Sequence, residues 1–288
     1  MKLNALRNYA RQRLTPVYGE QETQSMFKIL CETFLMLEPY QITMNLDKEI
    51  DEEALNRFED AIEKLYAQQP VQYIVGETTF RGLPLKVNGA TLIPRPETEE
   101  LVAWIIKDHE KHTGVKFLDI GTGSGCIALS ISDAMSKAVV VAVDISEEAL
   151  ATARENAINN HLGVGFKRLD ILNIEHLANA FGKDPVHFDC IVSNPPYVRM
   201  LERKDMKPNV LNYEPATALF VSDEDPLLFY RKISALAYEN LNDGGSLYFE
   251  INEYLPEETS DLVRGAGFRE VSLKKDLFGK YRMLKAIK

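Results

Sequence analysis

The feature that most narrows the folds open to this chain is a strand, a glycine turn and a helix in immediate succession. The apolar run Val115-Lys116-Phe117-Leu118-Asp119 passes into Gly121-Thr122-Gly123-Ser124-Gly125 and then into an apolar helical pattern from Cys126 to Ile131. This is the opening of a βαβ unit, which requires a parallel sheet covered by helices. Glycines at such a turn let backbone N–H groups approach a ligand, and the helix N-terminus adds its own free N–H groups. The spacing is G-x-G-x-G. A dinucleotide fingerprint has its last glycine one residue later, where Cys126 stands, so the pattern weighs against a nicotinamide cofactor.

The units that follow keep the same rhythm. Val139 to Val143 reads as a second strand ending at Asp144, where an acid suits both ribose hydroxyls of a bound nucleoside. Asp144 could instead cap the helix Glu147 to Asn159, although Ser146 is equally placed for that. A weaker strand, Phe166 to Leu169, ends at Asp170-Ile171. There the carboxylate could take an adenine amino group, with Ile171 packing on the ring face.

Phe188 to Val192 reads as a buried strand that runs into Ser193-Asn194-Pro195-Pro196-Tyr197. Two prolines cannot continue a ladder, so the strand stops at Asn194. In open α/β sheets that end of the strands is where ligands bind. The Asn194 side-chain oxygen and the Pro195 carbonyl are two acceptors that can grip both hydrogens of a planar NH2 group, and the Tyr197 ring can pack on its plane. The other reading is a plain Asn-Pro-Pro turn.

Around this core the chain divides into three. Residues 1–75 read as helical, with Leu3, Leu6 and Leu14 on a first helix and Met26, Phe27, Leu30, Phe34 and Leu37 on a second that Glu38-Pro39 stops. Asp51 caps a third helix bearing Ala54, Leu55, Phe58, Ile62, Leu65 and Tyr66 on one face. Residues 76–95 read as a β-hairpin connector ending in the rigid stretch Pro94-Arg95-Pro96. Arg95 either walls an active site or forms a surface ion pair. The third region, residues 96–288, alternates strands and helices. Its helix from Pro96 onwards has Glu97 and Glu99 in the first turn, where negative charge suits the helix dipole. Its closing pattern is a helix over 227–241, a strand over 246–251, a helix over 256–266 and β runs over 270–274 and 282–286. That pattern predicts a seven-stranded sheet with a reversed last hairpin strand. Arg199, Arg203, Lys204 and Lys207 form a charged segment that either covers a substrate or is simply solvated.

Composition bears on the partners. Net charge is −10 over 288 residues, with no basic tail, which argues against nucleic acid as the main partner. No apolar run resembles a signal peptide or is long enough to span a bilayer. Cys31, Cys126 and Cys190 are far apart, as expected of buried free thiols in a reducing cytoplasm. The five histidines form no ligand pattern, and no metal is expected.

From Gln72 to the end, the chain resembles the HemK/PrmC family, the S-adenosylmethionine-dependent N5-glutamine methyltransferases of peptide-chain release factors. The resemblance is carried by Gln72-Tyr73-Ile74 with Gly76, Ile93-Pro94-Arg95-Pro96-Glu97-Thr98-Glu99, Asp119 with Gly121 to Gly125, Asp144 and Asn194-Pro195-Pro196-Tyr197. Also matching are Tyr213-Glu214-Pro215, Ala218-Leu219, Asp225-Pro226-Leu227 and Phe229-Tyr230-Arg231. Adenine-N6 DNA methyltransferases share the Asn-Pro-Pro-Tyr loop, while the Arg-Pro-Glu-Thr-Glu run is narrower. The sister family acting on a ribosomal-protein glutamine usually has a different run there.

The resemblance implies a class I methyltransferase fold, Rossmann-like with a seven-stranded sheet, and a small all-α N-terminal domain that recognises the release factor. It implies that Gly121, Thr122, Gly123, Ser124, Gly125 and Asp144 hold S-adenosylmethionine, with Asp170, Ile171 and Asn194 beside it. It implies that Asn194, Pro195, Pro196, Tyr197 and Arg95 hold the glutamine, and that Asn194, Pro195 and Tyr197 serve catalysis. Two positions depart from the family: Ile171, often aromatic there, and Asn252, where the family tends to have glycine.

Overall fold

The computed structural model describes residues 1–182 and 187–288, and the chain forms two compact units. The first comprises Met1–Gly76 with Lys207–Tyr213, and the second Glu77–Met206 with Glu214–Lys288.

In the first unit, α1 (Leu3–Leu35) takes in both helices expected at the N-terminus and leaves helical geometry at Gly19, φ 78°. A short helix not foreseen from the sequence, α2 (Pro39–Met44), follows. Helix α3 (Glu52–Tyr66) is capped by Asp51, whose carboxylate accepts from Ala54 N at 2.8 Å. Leu3, Leu6, Leu14, Leu30, Phe58, Ile62 and Leu65 are buried together, as their helical spacing requires. Tyr66 departs from the expected face: it is exposed, and the Arg13 guanidinium covers its ring at 3.5 Å. One turn of helix, α4 (Val71–Val75), ends at Gly76.

The second unit begins with the hairpin β1 (Glu77–Phe80) and β2 (Leu83–Lys86), closed by Arg81 and Gly82, both at positive φ. Asn156 ties it to the unit's core. Asn156 Oδ1 accepts from Lys86 N at 2.6 Å, and Nδ2 donates to Lys86 O at 3.0 Å and to Ser124 O at 2.9 Å. Next come α5 (Pro96–His109), β3 (Lys116–Ile120), α6 (Cys126–Ala134), β4 (Val139–Asp144), α7 (Glu147–Asn159), β5 (Val164–Arg168), α8 (Leu177–Phe181) and β6 (Phe188–Ser193). After these lie the short strand β7 (Val198–Arg199), a 3₁₀ turn over Met200–Asp205, α9 (Pro208–Tyr213, in the first unit), α10 (Ala216–Leu219) and β8 (Phe220–Val221), which pairs with β7. The chain closes with α11 (Leu228–Asn240), β9 (Leu241–Glu250), α12 (Pro256–Gly265), β10 (Arg269–Lys275) and β11 (Tyr281–Ile287).

The sheet has seven strands in the order β10-β11-β9-β6-β3-β4-β5. Strand β11 runs antiparallel to both β9 and β10, as the reversed final hairpin predicts, and the other pairings are parallel. One face carries α5, α6 and α7 over Phe117, Val140, Cys190 and Tyr248. The other carries α8, α11 and α12 over Leu118, Ile191, Leu247 and Phe249. Both faces are dry, which is why the central strands read as continuous apolar runs. The three cysteines are buried and free, and burial pushes the thiols of Cys31 and Cys126 up to about 12.

Candidate active site

The sheet order decides what meets what. Because β9, β6, β3, β4 and β5 are neighbours, their carboxyl ends place Glu250, Asn194, the 121–125 loop, Asp144 and Asp170 side by side along one edge. Strand order reverses between β6 and β3, so the Asn194 loop and the glycine loop flank the switch point where such sheets bind ligands.

The glycine loop is fastened to the strand beside it. Gly121 N and Thr122 N both donate to Val143 O, at 2.9 and 3.1 Å, and Gly123 N donates to Asp144 Oδ2 at 2.9 Å. The glycines at 121, 123 and 125 all have positive φ. Gly125 is the tightest of the three: a Cβ there would lie 3.1 Å from Leu129 Cδ1 and 3.2 Å from the Ala153 methyl, at φ +85°. Ser146, not Asp144, caps α7, accepting from Ala149 N at 3.2 Å. Asp144 is thereby released from that task. Its Oδ1 accepts from Ser146 N at 2.9 Å, and each carboxylate oxygen keeps capacity for a further donor.

Asp119 lies beside the glycine loop, and strand reading alone takes it for the last residue of a core strand. Its side chain is fully buried, with Oδ2 accepting from Thr122 Oγ1 at 2.6 Å. Burial raises its carboxyl to about 7, the Asp144 charge adds to the rise, and the Thr122 hydroxyl opposes it. The Ala128 N–H at the start of α6 also opposes the rise, and the buried Ser124 hydroxyl lies beside the Cys126 thiol. A buried carboxylate beside a turn of three left-handed glycines fits a ligand that brings positive charge.

The other nucleoside candidates are less free. Asp170 serves its own turn, Oδ1 accepting from Leu172 N at 3.0 Å and Oδ2 from Asn173 Nδ2 at 2.6 Å. Ile171 is buried in the core with Leu118, Ile120, Val143 and Leu177. Arg95 pairs with the buried Glu214 carboxylate, which also accepts from Ile93 N at 3.2 Å, so the ion pair braces the rigid Pro94–Pro96 stretch.

At the amide loop, Pro195 is buried, while Asn194, Pro196 and Tyr197 are half-buried. The Ser193 hydroxyl anchors the strand end by donating to Ile120 O at 2.7 Å. Asn194 Nδ2 donates to Thr98 Oγ1 at 3.4 Å, and among the described residues nothing donates to Asn194 Oδ1 or to the Pro195 carbonyl. Tyr197 is held at both ends: its hydroxyl donates to Glu250 Oε1 at 2.9 Å, and its carbonyl accepts from Asn252 Nδ2 at 2.9 Å. Burial, with the Glu250 charge, raises the Tyr197 hydroxyl well above its ordinary value, so it stays protonated. Asn252 is therefore a brace: it also donates to the Glu202 carboxylate and accepts from Tyr254 N at 2.9 Å. Among the described residues no cluster of three metal-ligating side chains occurs.

A seven-stranded sheet with β11 antiparallel to its neighbours and a glycine cradle at the switch point defines a class I methyltransferase. The description "Methyltransferase small domain" matches residues 99–213, and "PrmC N-terminal domain" matches residues 5–76. A release factor glutamine methyltransferase of Flavobacterium psychrophilum is 48% identical over 286 residues, covering 97% of this chain and 98% of the relative. One of Bacteroides thetaiotaomicron is 41% identical over 284 residues, covering 99% of each chain. Among solved structures, a Thermus thermophilus 16S rRNA N2 G1207 methyltransferase in complex with AdoMet and guanosine shares the fold. It has 18% identity and a TM-score of 0.52, covering 74% of this chain and 49% of that one. This chain belongs to the release factor glutamine methyltransferase family.

Proposed function

We propose that this chain methylates the side-chain amide nitrogen of the glutamine in the Gly-Gly-Gln motif of peptide-chain release factors, with S-adenosylmethionine as donor. The observation that carries the reading is the pair of unengaged acceptors, Asn194 Oδ1 and the Pro195 carbonyl, next to the glycine cradle. An amide NH2 has two hydrogens to give, and two convergent acceptors fix its plane.

Bound S-adenosylmethionine supplies a methyl group already activated as a sulfonium. The protein's part is then to position the acceptor and stabilise charge. The N–H groups of Gly121, Thr122, Gly123 and Gly125 are spent holding the loop's shape, so the turn they form and the Asp144 carboxylate would hold the donor, and the buried Asp119 carboxylate would offset its positive charge. Asn194 Oδ1 and Pro195 O would draw the amide hydrogens and stabilise the positive charge on the nitrogen as it takes the methyl group, and the nitrogen returns to neutrality by losing one of those two protons to water. Tyr197, fixed by Glu250 and Asn252, closes one side of the acceptor's plane. Arg95, paired with the buried Glu214, shapes the wall of the site.

The match of residues 5–76 to the PrmC N-terminal domain supports assigning release-factor recognition to the helical unit. A net charge of −10 supports a protein substrate over nucleic acid, and an enzyme of translation termination belongs in the cytoplasm. No helix among the described residues is long and apolar enough to cross a membrane. Asn194→Ala tests the site: turnover on a release factor should fall by roughly 30- to 1,000-fold, the effect of removing about 2–4 kcal/mol of transition-state stabilisation, with cofactor affinity retained. Unchanged turnover would overturn the assignment.

A further inference from the structure

Thr98 lies within the Arg95-Pro96-Glu97-Thr98-Glu99 run, yet the proposed reaction leaves it without a task, and it leaves Glu250 only the fixing of Tyr197. Both are buried, each only 2% exposed, and both belong to the site edge: Thr98 to the first turn of α5, Glu250 to the end of β9. The Thr98 hydroxyl donates to Glu250 Oε2 at 2.6 Å and accepts from Asn194 Nδ2 at 3.4 Å. The other Glu250 oxygen accepts from Tyr197, and its backbone carbonyl accepts from Tyr230 OH at 3.2 Å.

A hydroxyl has one hydrogen. With that hydrogen given to Glu250, Thr98 presents only lone pairs to Asn194. The amide must then turn its NH2 inward, because the flipped amide would set Oδ1 against a second acceptor. The outward group is therefore Oδ1, the acceptor that the reaction needs. We infer that Thr98 and Glu250 are positioning residues that fix which face of the Asn194 amide meets the substrate, so that the site offers an acceptor and rejects groups that can only accept. The chain Glu250–Thr98–Asn194 sets the amide, while Glu250–Tyr197 sets the ring from the same carboxylate. One buried acid thus orients both working side chains of the loop. Hydrogen-bonded groups in such a chain act as a unit, and their effects do not add.

The inference rests on the amide-clamp reading, and the experiment separates the two. Turnover on a purified release factor and S-adenosylmethionine affinity are measured for the wild type, Thr98→Val, Thr98→Ser, Glu250→Gln, Asn194→Ala and the double variant Thr98→Val/Asn194→Ala. Thr98→Val keeps the side-chain shape and removes the hydroxyl. Its kcat should fall at least tenfold with cofactor affinity unchanged, and Thr98→Ser should recover most of the loss. In the Asn194→Ala background, Thr98→Val should cost almost nothing more. Should Thr98→Val fail to fold, Glu250→Gln decides. Its amide can donate to Thr98, freeing the hydroxyl hydrogen for Asn194 Oδ1 and inverting the amide, so kcat should again fall while the cofactor still binds. Wild-type kcat in Thr98→Val, or in Glu250→Gln, would overturn the inference, as would an equal further loss from Thr98→Val on top of Asn194→Ala. Retained turnover in Asn194→Ala alone would instead remove the clamp reading itself.

Discussion

The buried Asp119 carboxyl makes the stability of the catalytic unit depend on pH in a direction that can be worked out. Its ordinary value of 3.8 is pushed up to about 7, chiefly by burial. A carboxyl with a raised folded-state value binds its proton more tightly folded than unfolded. Its contribution to stability is therefore complete below 3.8 and drains away as pH rises to about 7. A rise of about 3 units at ~1.4 kcal/mol each sets the loss at up to about 4 kcal/mol. Asp119→Asn removes the titration and keeps an acceptor for Thr122. The variant should match the wild type near pH 4 and exceed its stability by up to about 4 kcal/mol near pH 8, once both are free of cofactor. Trp104, the only tryptophan in the chain, packs edge-on to Tyr248 at 5.6 Å and reports on this unit, so urea unfolding followed by its fluorescence gives the difference. A wild-type-minus-variant difference independent of pH would refute the argument. The same variant should bind the cationic cofactor more weakly, because the offsetting charge is gone.

Three further outcomes follow from the geometry. Gly125→Ala forces a Cβ against Leu129 and Ala153 at positive φ, so it should cost about 1–3 kcal/mol of stability and weaken cofactor binding, both measurable by thermal shift with and without S-adenosylmethionine. Asp144→Ala should raise the cofactor dissociation constant in calorimetry while the circular dichroism stays unchanged, since Ser146 and not Asp144 caps α7. Tyr197→Phe leaves Glu250 Oε1 buried without its donor and should lower stability by about 1–3 kcal/mol in denaturant titration, with a loss of turnover beside it.

Much of this architecture is legible in the sequence because the strands buried on both faces are unbroken apolar runs. Each candidate site residue also sits at the end of such a run: Gly121 after β3, Asp144 at the end of β4, Asn194 after β6. Local chemistry resolved one ambiguity, since Ser146 takes the cap and leaves Asp144 to the glycine loop. Asp170 was harder to read, because an Asx-type turn that satisfies its own carboxylate looks the same in sequence as an acid offered to a ligand. Thr98, Glu250 and Asn252 could not be found from spacing at all. Their meaning lies in partners 96, 53 and 55 residues away, which only the sheet order brings together. Tyr66 leaves the core face for a related reason: the last turn of an amphipathic helix outruns the core, and a neighbouring guanidinium covers the ring instead.

The central claim is tested most directly by labelled methyl transfer from S-adenosylmethionine to a purified release factor, run beside a copy whose Gly-Gly-Gln glutamine is replaced and beside unmethylated DNA. The account predicts label on the intact factor alone. Label on DNA, or undiminished label on the glutamine-replaced factor, would contradict it.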